Sequence, residues 1–267
     1  MLSKLYRPRP LQGAAQSMVR LLQRLPTQCV VCDQWPVASS ICSDCVQTHG
    51  APLGPRRCRT CALALPLGVE TSAGAQCADC LRHPPPLAAC WAALDYASPW
   101  AAVIARWKLA QQPSLVHALA QRMAAALPRR PIVQQADVLL PIPPAPERAR
   151  WRGFHHTRML AQAWLAAQPA EPASALLRLE PHWLQRLPSP PENPLPQAQR
   201  GRAQRLRAMQ NAFVVPPAAL HAVQGARVLL LDDVMTTGAT LYSAARCLQA
   251  AGAASVSAVV LARTPRV

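Results

Sequence analysis

The chain has 267 residues, 51% of them apolar, with 29 prolines and a formal charge of +16 from 28 basic and 12 acidic side chains. That length and apolar content favour a packed core with long irregular connections and argue against a disordered chain. No run approaches the roughly 18 unbroken apolar residues of a membrane span, which excludes a membrane-spanning helix.

A surface this basic attracts phosphates, whether on nucleic acid, a nucleotide or an anionic lipid, and does not choose among them. Composition divides the chain into an extension over 1–26, a cysteine-rich module over 27–90 and an α/β domain over 91–267. Met1 to Pro26 starts basic and continues as a mildly amphipathic stretch (Met18, Leu21, Leu22, Leu25). It lacks the compact apolar run and cleavage site of a secretory signal, so the expected location is cytoplasmic, with no transmembrane segment.

The cysteine-rich module holds nine of the ten cysteines. Cys29-x2-Cys32, Cys42-x2-Cys45, Cys58-x2-Cys61 and Cys77-x2-Cys80 are four knuckles. Two thiolates two residues apart can reach one zinc ion, and two such pairs close a tetrahedron, so eight ligands make two sites. Disulfides are the alternative, but a reducing cytosol disfavours them. Sequential pairing puts Cys29, Cys32, Cys42 and Cys45 on one ion and Cys58, Cys61, Cys77 and Cys80 on the other; a cross-braced pairing would interleave them. Sequential pairing is preferred. Sites closed by four thiolates are structural rather than catalytic. Cys90 and Cys247 fall outside the pattern and read as packed thiols, while His49 and His83 flank knuckles without being needed as ligands.

Apolar periodicity then returns. Val103, Ile104 and Trp107 predict a helix, Leu115 to Leu127 a second one, and Asp137 to Ile142 a strand ending in Pro-Ile-Pro-Pro. Arg148, Arg150, Arg152 and Arg158 follow; their planar forks suit phosphate or pyrophosphate, although a solvated helix face would look the same. Residues 169–217, rich in proline, glutamine and arginine, read as a long mobile segment. Its Arg200, Arg202, Arg205 and Arg207 fit either a loop closing over a site or a nucleic-acid surface.

The last part is the most legible. Arg227 to Leu231 is an apolar strand, Asp232 to Thr240 a polar loop, Leu241 to Ala251 a helix ended by Gly252, and Ser255 to Leu261 a further strand. Strand, loop, helix and strand in that order imply a βαβ unit and a parallel sheet. Open α/β sheets bind ligands at the C-terminal ends of strands, where Asp232 and Asp233 fall. Thr236, Thr237, Gly238, Ala239 and Thr240 lead into the helix, whose N-terminal amides, with the threonine hydroxyls, form a phosphate cradle. Two carboxylates would repel a bare phosphate, so they must face sugar hydroxyls or a magnesium ion carried with the ligand. An ordinary capped turn accounts for one acid and one threonine, not for the whole series.

Asp-Asp-Val-Met-Thr-Thr-Gly-Ala-Thr (232–240) resembles the phosphoribosyl-pyrophosphate-binding motif of type I phosphoribosyltransferases. The resemblance implies that Asp232 and Asp233 engage the ribose hydroxyls and that Thr236 to Thr240 wrap the 5′-phosphate. Three more segments are similar to the ComF family of competence-associated proteins: Tyr96 through Lys108, Pro141-Ile-Pro-Pro…Arg148…Arg152-Gly-Phe154, and Arg205…Asn211-Ala-Phe213. With the cysteines included, the similarity spans Cys29 to Arg263. The implied fold is a type I phosphoribosyltransferase-like parallel sheet flanked by helices, with a small N-terminal double zinc-ribbon module.

The implied ligand is phosphoribosyl pyrophosphate with magnesium, with Arg148 and Arg152 on the pyrophosphate and Lys108 within reach of a phosphate. Phosphoribosyl transfer to an acceptor that the sequence does not name would follow, in the setting of DNA uptake. The alternative is a non-catalytic single-stranded DNA-binding protein working with other DNA-uptake proteins. The sequence departs from the family pattern at His155-His156, where Asn-Gln is usual, at Ala208, and at the proline-rich stretch Pro188 to Pro196.

Overall fold

The structure is a computed structural model that describes residues 26–38, 40–49, 56–66, 75–109, 112–127, 134–147, 154–168, 177–188 and 212–265. The chain divides into two compact units, Met1–His49 and Gly50–Val267. The cysteine region expected as one module over 27–90 is therefore split, with one set of four cysteines in each unit.

In the first unit, Thr27 and Val37 pair in an antiparallel bridge that brackets the first knuckle. Helix α1 (Ser43–His49) carries Cys45 inward.

In the second unit, the short helix α2 (Ala78–Arg82) presents Cys80. Strand β1 (Cys90–Asp95) follows, then helices α3 (Trp100–Leu109) and α4 (Leu115–Ala126). Next come β2 (Val138–Pro141), α5 (His156–Ala166), β3 (Arg178–Leu179), β4 (Gln185–Arg186) and β5 (Phe213–Val214). Helix α6 (Pro217–Val223), strand β6 (Arg227–Met235), helix α7 (Ala239–Ala250) and strand β7 (Ser255–Arg263) complete the unit. Among the described residues the main sheet has five strands in the order β1-β7-β6-β2-β3, and every pairing in it is parallel. Strands β4 and β5 form a separate antiparallel pair.

The parallel sheet follows from the sequence. Val228, Leu229, Leu230 and Leu231 are at most 1% exposed, the continuous apolar run of a strand covered on both faces. The helices bury one stripe each. Trp100, Val103, Ile104 and Trp107 of α3, Thr157, Leu160, Ala161 and Trp164 of α5, and Leu241, Ala244, Ala245 and Leu248 of α7 all follow the i, i+3, i+4, i+7 spacing.

One side of the sheet, through Val138, Leu140, Val228, Leu230, Val256, Ala258 and Val260, shares a core with α6, α7 and the second cysteine set. Those cysteines are thus part of the α/β core, not an appendage.

The predicted helices and strands appear, with three differences. The loop expected to begin at Asp232 begins later, because β6 runs on to Met235. Pairing with β7 continues at Asp232↔Val260, Val234↔Ala262 and Met235↔Arg263, so β7 holds the acids in extended backbone. The segment 169–217, read as one long mobile stretch, contains β3, β4 and β5 in its described parts. Helix α5 was not read from the sequence at all, although its stripe was there to be counted. His155 begins it, its Nδ1 accepting from Arg158 N at 3.1 Å. Gly252, with a φ of 95°, follows α7 as expected.

Candidate functional site

Side chains along β6 alternate between the two faces of the sheet, so Asp232 and Asp233 point to opposite sides. Asp232 shares the parity of Leu230 and lines a cavity of about 40 Å³ with Val234 and the turn 235–241. That volume suits one small group. Gly238 sits at the N-cap of α7 with a φ of 82° and brings no side chain of its own to cap the helix. First-turn amides have no intrahelical acceptor, so they and the positive end of the helix dipole are available to an anion. A Cβ on Gly238 would come within 2.5 Å of Tyr242 and 2.7 Å of Met235. Within the turn, Ala239 N donates to Thr237 Oγ1 at 3.4 Å. The structure therefore brings together Asp232, Thr236, Thr237, Gly238, Ala239 and Thr240.

Asp233 is placed differently. Lys108 Nζ lies 2.7 Å from its Oδ1, and His156 Nε2 lies 2.7 Å from its Oδ2. The second contact has ion-pair distance but is not aligned as a hydrogen bond. Lys108, expected to reach a phosphate, instead rests on this carboxylate. His156 reaches it from the first turn of α5, which explains why a histidine at a departure from the family pattern is buried. Arg148 and Arg152 lie outside the described residues.

The two acids differ electrostatically. Burial, then the neighbouring Asp233 charge, pushes Asp232 up to about 7. Burial would raise Asp233 too, but the Lys108 ammonium, helped by His156, outweighs it and holds that carboxyl well below the usual carboxylate range. Asp233 is the permanent anion and Asp232 the group able to exchange a proton near neutrality. His155 is driven down to about 4, by burial first and then by the His156 charge, which keeps its ring neutral as a helix cap.

A larger cavity, of about 650 Å³, lies on the other side of the turn, between the second cysteine set and α7. It shares only Thr236 and Thr237 with the small cavity, and neither aspartate lines it. The aspartate and the glycine turn therefore belong to the smaller one. Between the two stands Arg263, 6% exposed. Its Nε donates to Cys61 O at 2.9 Å, and its Nη1 to the carbonyls of Met235 at 3.0 Å, Thr236 at 2.6 Å and Thr264 at 2.7 Å. The guanidinium ties the second knuckle pair to the start of the cradle. Sequence reasoning missed this; the available signal was an arginine ending an otherwise apolar strand.

The cysteines group sequentially: Cys29, Cys32, Cys42 and Cys45 in one set, Cys58, Cys61, Cys77 and Cys80 in the other, with all thiol sulfurs of a set within 4.8 Å of one another. Cys32 and Cys42 Sγ are 3.7 Å apart, and Cys61 and Cys77 Sγ 3.8 Å. A tetrahedron with metal–sulfur bonds of about 2.3 Å has edges of about 3.8 Å, so both sets fit zinc. Cys29 Sγ accepts from Cys42 N, and Cys42 Sγ from Cys45 N, each at 3.4 Å. Burial would raise the Cys29 thiol, but the amides of Cys42, Cys32 and Val31 bring it down to about 6, favouring the thiolate a metal needs. Cys90 is buried and free, and burial pushes its thiol up to about 12, as for a packed cysteine.

A parallel sheet flanked by helices, an aspartate pair at a strand end and a glycine turn into an uncapped helix define a phosphoribosyltransferase-like protein with two zinc-ribbon-like clusters. Residues 196–266 match the phosphoribosyl transferase domain family. The chain is 28% identical over 252 residues to the DNA utilization protein YhgH of Escherichia coli O157:H7, covering 90% of this chain and 98% of that one. It is 34% identical over 128 residues to the competence protein ComFC of Bacillus subtilis (strain 168), covering 48% of this chain and 45% of that one. A solved structure of the allosteric regulatory enzyme of purine biosynthesis overlays 55% of this chain and 25% of that one, at 18% identity and a TM-score of 0.32, too slight an overlay to carry an argument. The chain is thus similar to ComF-type, phosphoribosyltransferase-like proteins. Among the described residues, no helix is long and apolar enough to cross a membrane.

Proposed function

We propose that the chain binds phosphoribosyl pyrophosphate with magnesium at the end of β6 and transfers the phosphoribosyl group to a nitrogen acceptor, in the service of DNA uptake or use. The observation that carries this reading is the opening of Asp232, the Gly238 turn and the uncapped start of α7 onto one small cavity. The amides of 237–241 would hold the 5′-phosphate and Asp232 would accept from a ribose hydroxyl. Arg148 and Arg152 are the proposed pyrophosphate contacts. Only one carboxylate faces the cavity, so the site fits a magnesium ion that arrives on the pyrophosphate and keeps water ligands, not one caged by protein. When bound, that ion would neutralise the leaving pyrophosphate. The chain's own contribution is positioning and fixed dipoles aimed at separating charge. We further infer a structural zinc ion in each cysteine set and a cytoplasmic location, where thiolates stay reduced.

Calorimetry with phosphoribosyl pyrophosphate and magnesium tests the reading. The wild type binds, and Asp232→Ala/Asp233→Ala loses binding; no wild-type binding, or equal binding by both, removes it. A pH series adds a signed check. The Asp232 carboxyl, raised to about 7, must shed its proton to accept from the ribose at full strength, so affinity rises from pH 6 to pH 8. A flat profile across that interval removes Asp232 from the contact.

The charge of +16 supports a second reading, single-stranded DNA binding. An oligonucleotide titrated in the same calorimeter would then bind with an affinity that falls steeply with salt. Undetectable binding at low salt ends that reading.

A further inference from the structure

We propose that Asp233 is an internal counter-ion and not a ligand contact, and that His156 is a positioning residue that sets α5 against the donor site through it. This rests on the donor-site reading above.

Each Asp233 oxygen has a nitrogen 2.7 Å away, Lys108 Nζ from α3 at Oδ1 and His156 Nε2 from α5 at Oδ2, the second at ion-pair distance without hydrogen-bond alignment. The three side chains are 8%, 18% and 9% exposed, for Asp233, Lys108 and His156. The backbone contributes as well, since Val234 N donates to Asp233 Oδ1. By strand alternation the side chain faces away from the cavity that Asp232 lines. Trp107, wholly buried, closes the group with its ring edge-on to His156 at 5.8 Å and 72°.

A sugar hydroxyl could reach Asp233 only by displacing a charged partner from a dry site. Breaking one partner of a buried ion group is costly, because it strands the other charge; removing both is far milder. The arrangement joins α3, α5 and β6 at the residue next to the ligand-facing acid. Thr157 reinforces the same junction by donating from Oγ1 to Ile142 O at 2.6 Å.

The two roles predict opposite responses to charge-balanced repair. Calorimetry with phosphoribosyl pyrophosphate and magnesium is run on wild type, Asp232→Asn, Asp233→Asn, Lys108→Gln and Lys108→Gln/Asp233→Asn. Asp233→Asn, which strands the Lys108 charge, weakens binding about tenfold, and the double variant returns to within about threefold of wild type. Lys108→Gln does not repair Asp232→Asn. A double variant that folds and binds as weakly as Asp233→Asn makes Asp233 a ligand contact and overturns the proposal.

The imidazole NMR resonances of His156, assigned with His156→Gln, are read without ligand in wild type and in the double variant. They move when the Asp233 carboxylate is removed; unchanged resonances sink the anchor. Should the wild type bind no phosphoribosyl pyrophosphate, the donor reading fails while the His156 signal still decides whether Asp233 anchors it.

Discussion

Replacing Cys58 or Cys61 with serine unfolds residues 50–267, whereas replacing Cys42 or Cys45 leaves that unit intact. The eight cysteines look equivalent in sequence, but the second set shares a buried core with the sheet and α7 of its own unit. A structural four-thiolate zinc site stabilises its fold by about 10–16 kcal/mol, as much as or more than the ~5–15 kcal/mol net stability of a whole domain. Losing one ligand at the second set therefore exceeds what the unit can spare. It also frees the carbonyl of Cys61 from Arg263, whose other donors hold Met235 and Thr236 at the mouth of the cradle. Circular dichroism, thermal melts and zinc analysis check this. Zinc falls from two ions per chain to one in the Cys42 variant, with the main melting transition unchanged, and that transition is lost in the Cys61 variant. An unaltered main transition in the zinc-depleted Cys61 variant would show that the second set is ornamental to the core.

Changing Gly238 to valine abolishes phosphate binding without unfolding the protein. The left-handed φ of 82° costs a non-glycine residue about 1–2 kcal/mol, and a β-branched one more. The added Cβ also meets the Tyr242 ring and the Met235 methyl at distances no real contact shows. The turn must open, and its amides then leave the positions from which they converge on one anion. A loss of at least about 100-fold in affinity follows, equivalent to about 2.7 kcal/mol, with alanine intermediate. The buried stripe of α7, Leu241, Ala244, Ala245 and Leu248, is untouched, so the circular dichroism spectrum stays that of the wild type. A valine variant that binds phosphoribosyl pyrophosphate within threefold of wild type would remove the turn from the site.

By itself the sequence determined the elements whose signals are local. An apolar run followed by two acids and a glycine turn marked the strand, the turn and α7, though not the extension of β6 to Met235, because backbone extension, left-handed φ and amphipathic spacing are decided over a few neighbouring residues. Paired knuckles marked the eight cysteines, because a chelate needs only short loops, and their sequential grouping came from the structure. The tertiary structure decided which acid faces the small cavity. Strand alternation turns Asp233 toward α3 and α5, where Lys108 and His156, far away along the chain, each bring a nitrogen to 2.7 Å from it. It also decided that one cysteine set belongs to the core and that Arg263 links it to the cradle. Such facts depend on partners tens to hundreds of residues apart, and a buried charge reveals its partner only once the chain has folded around it.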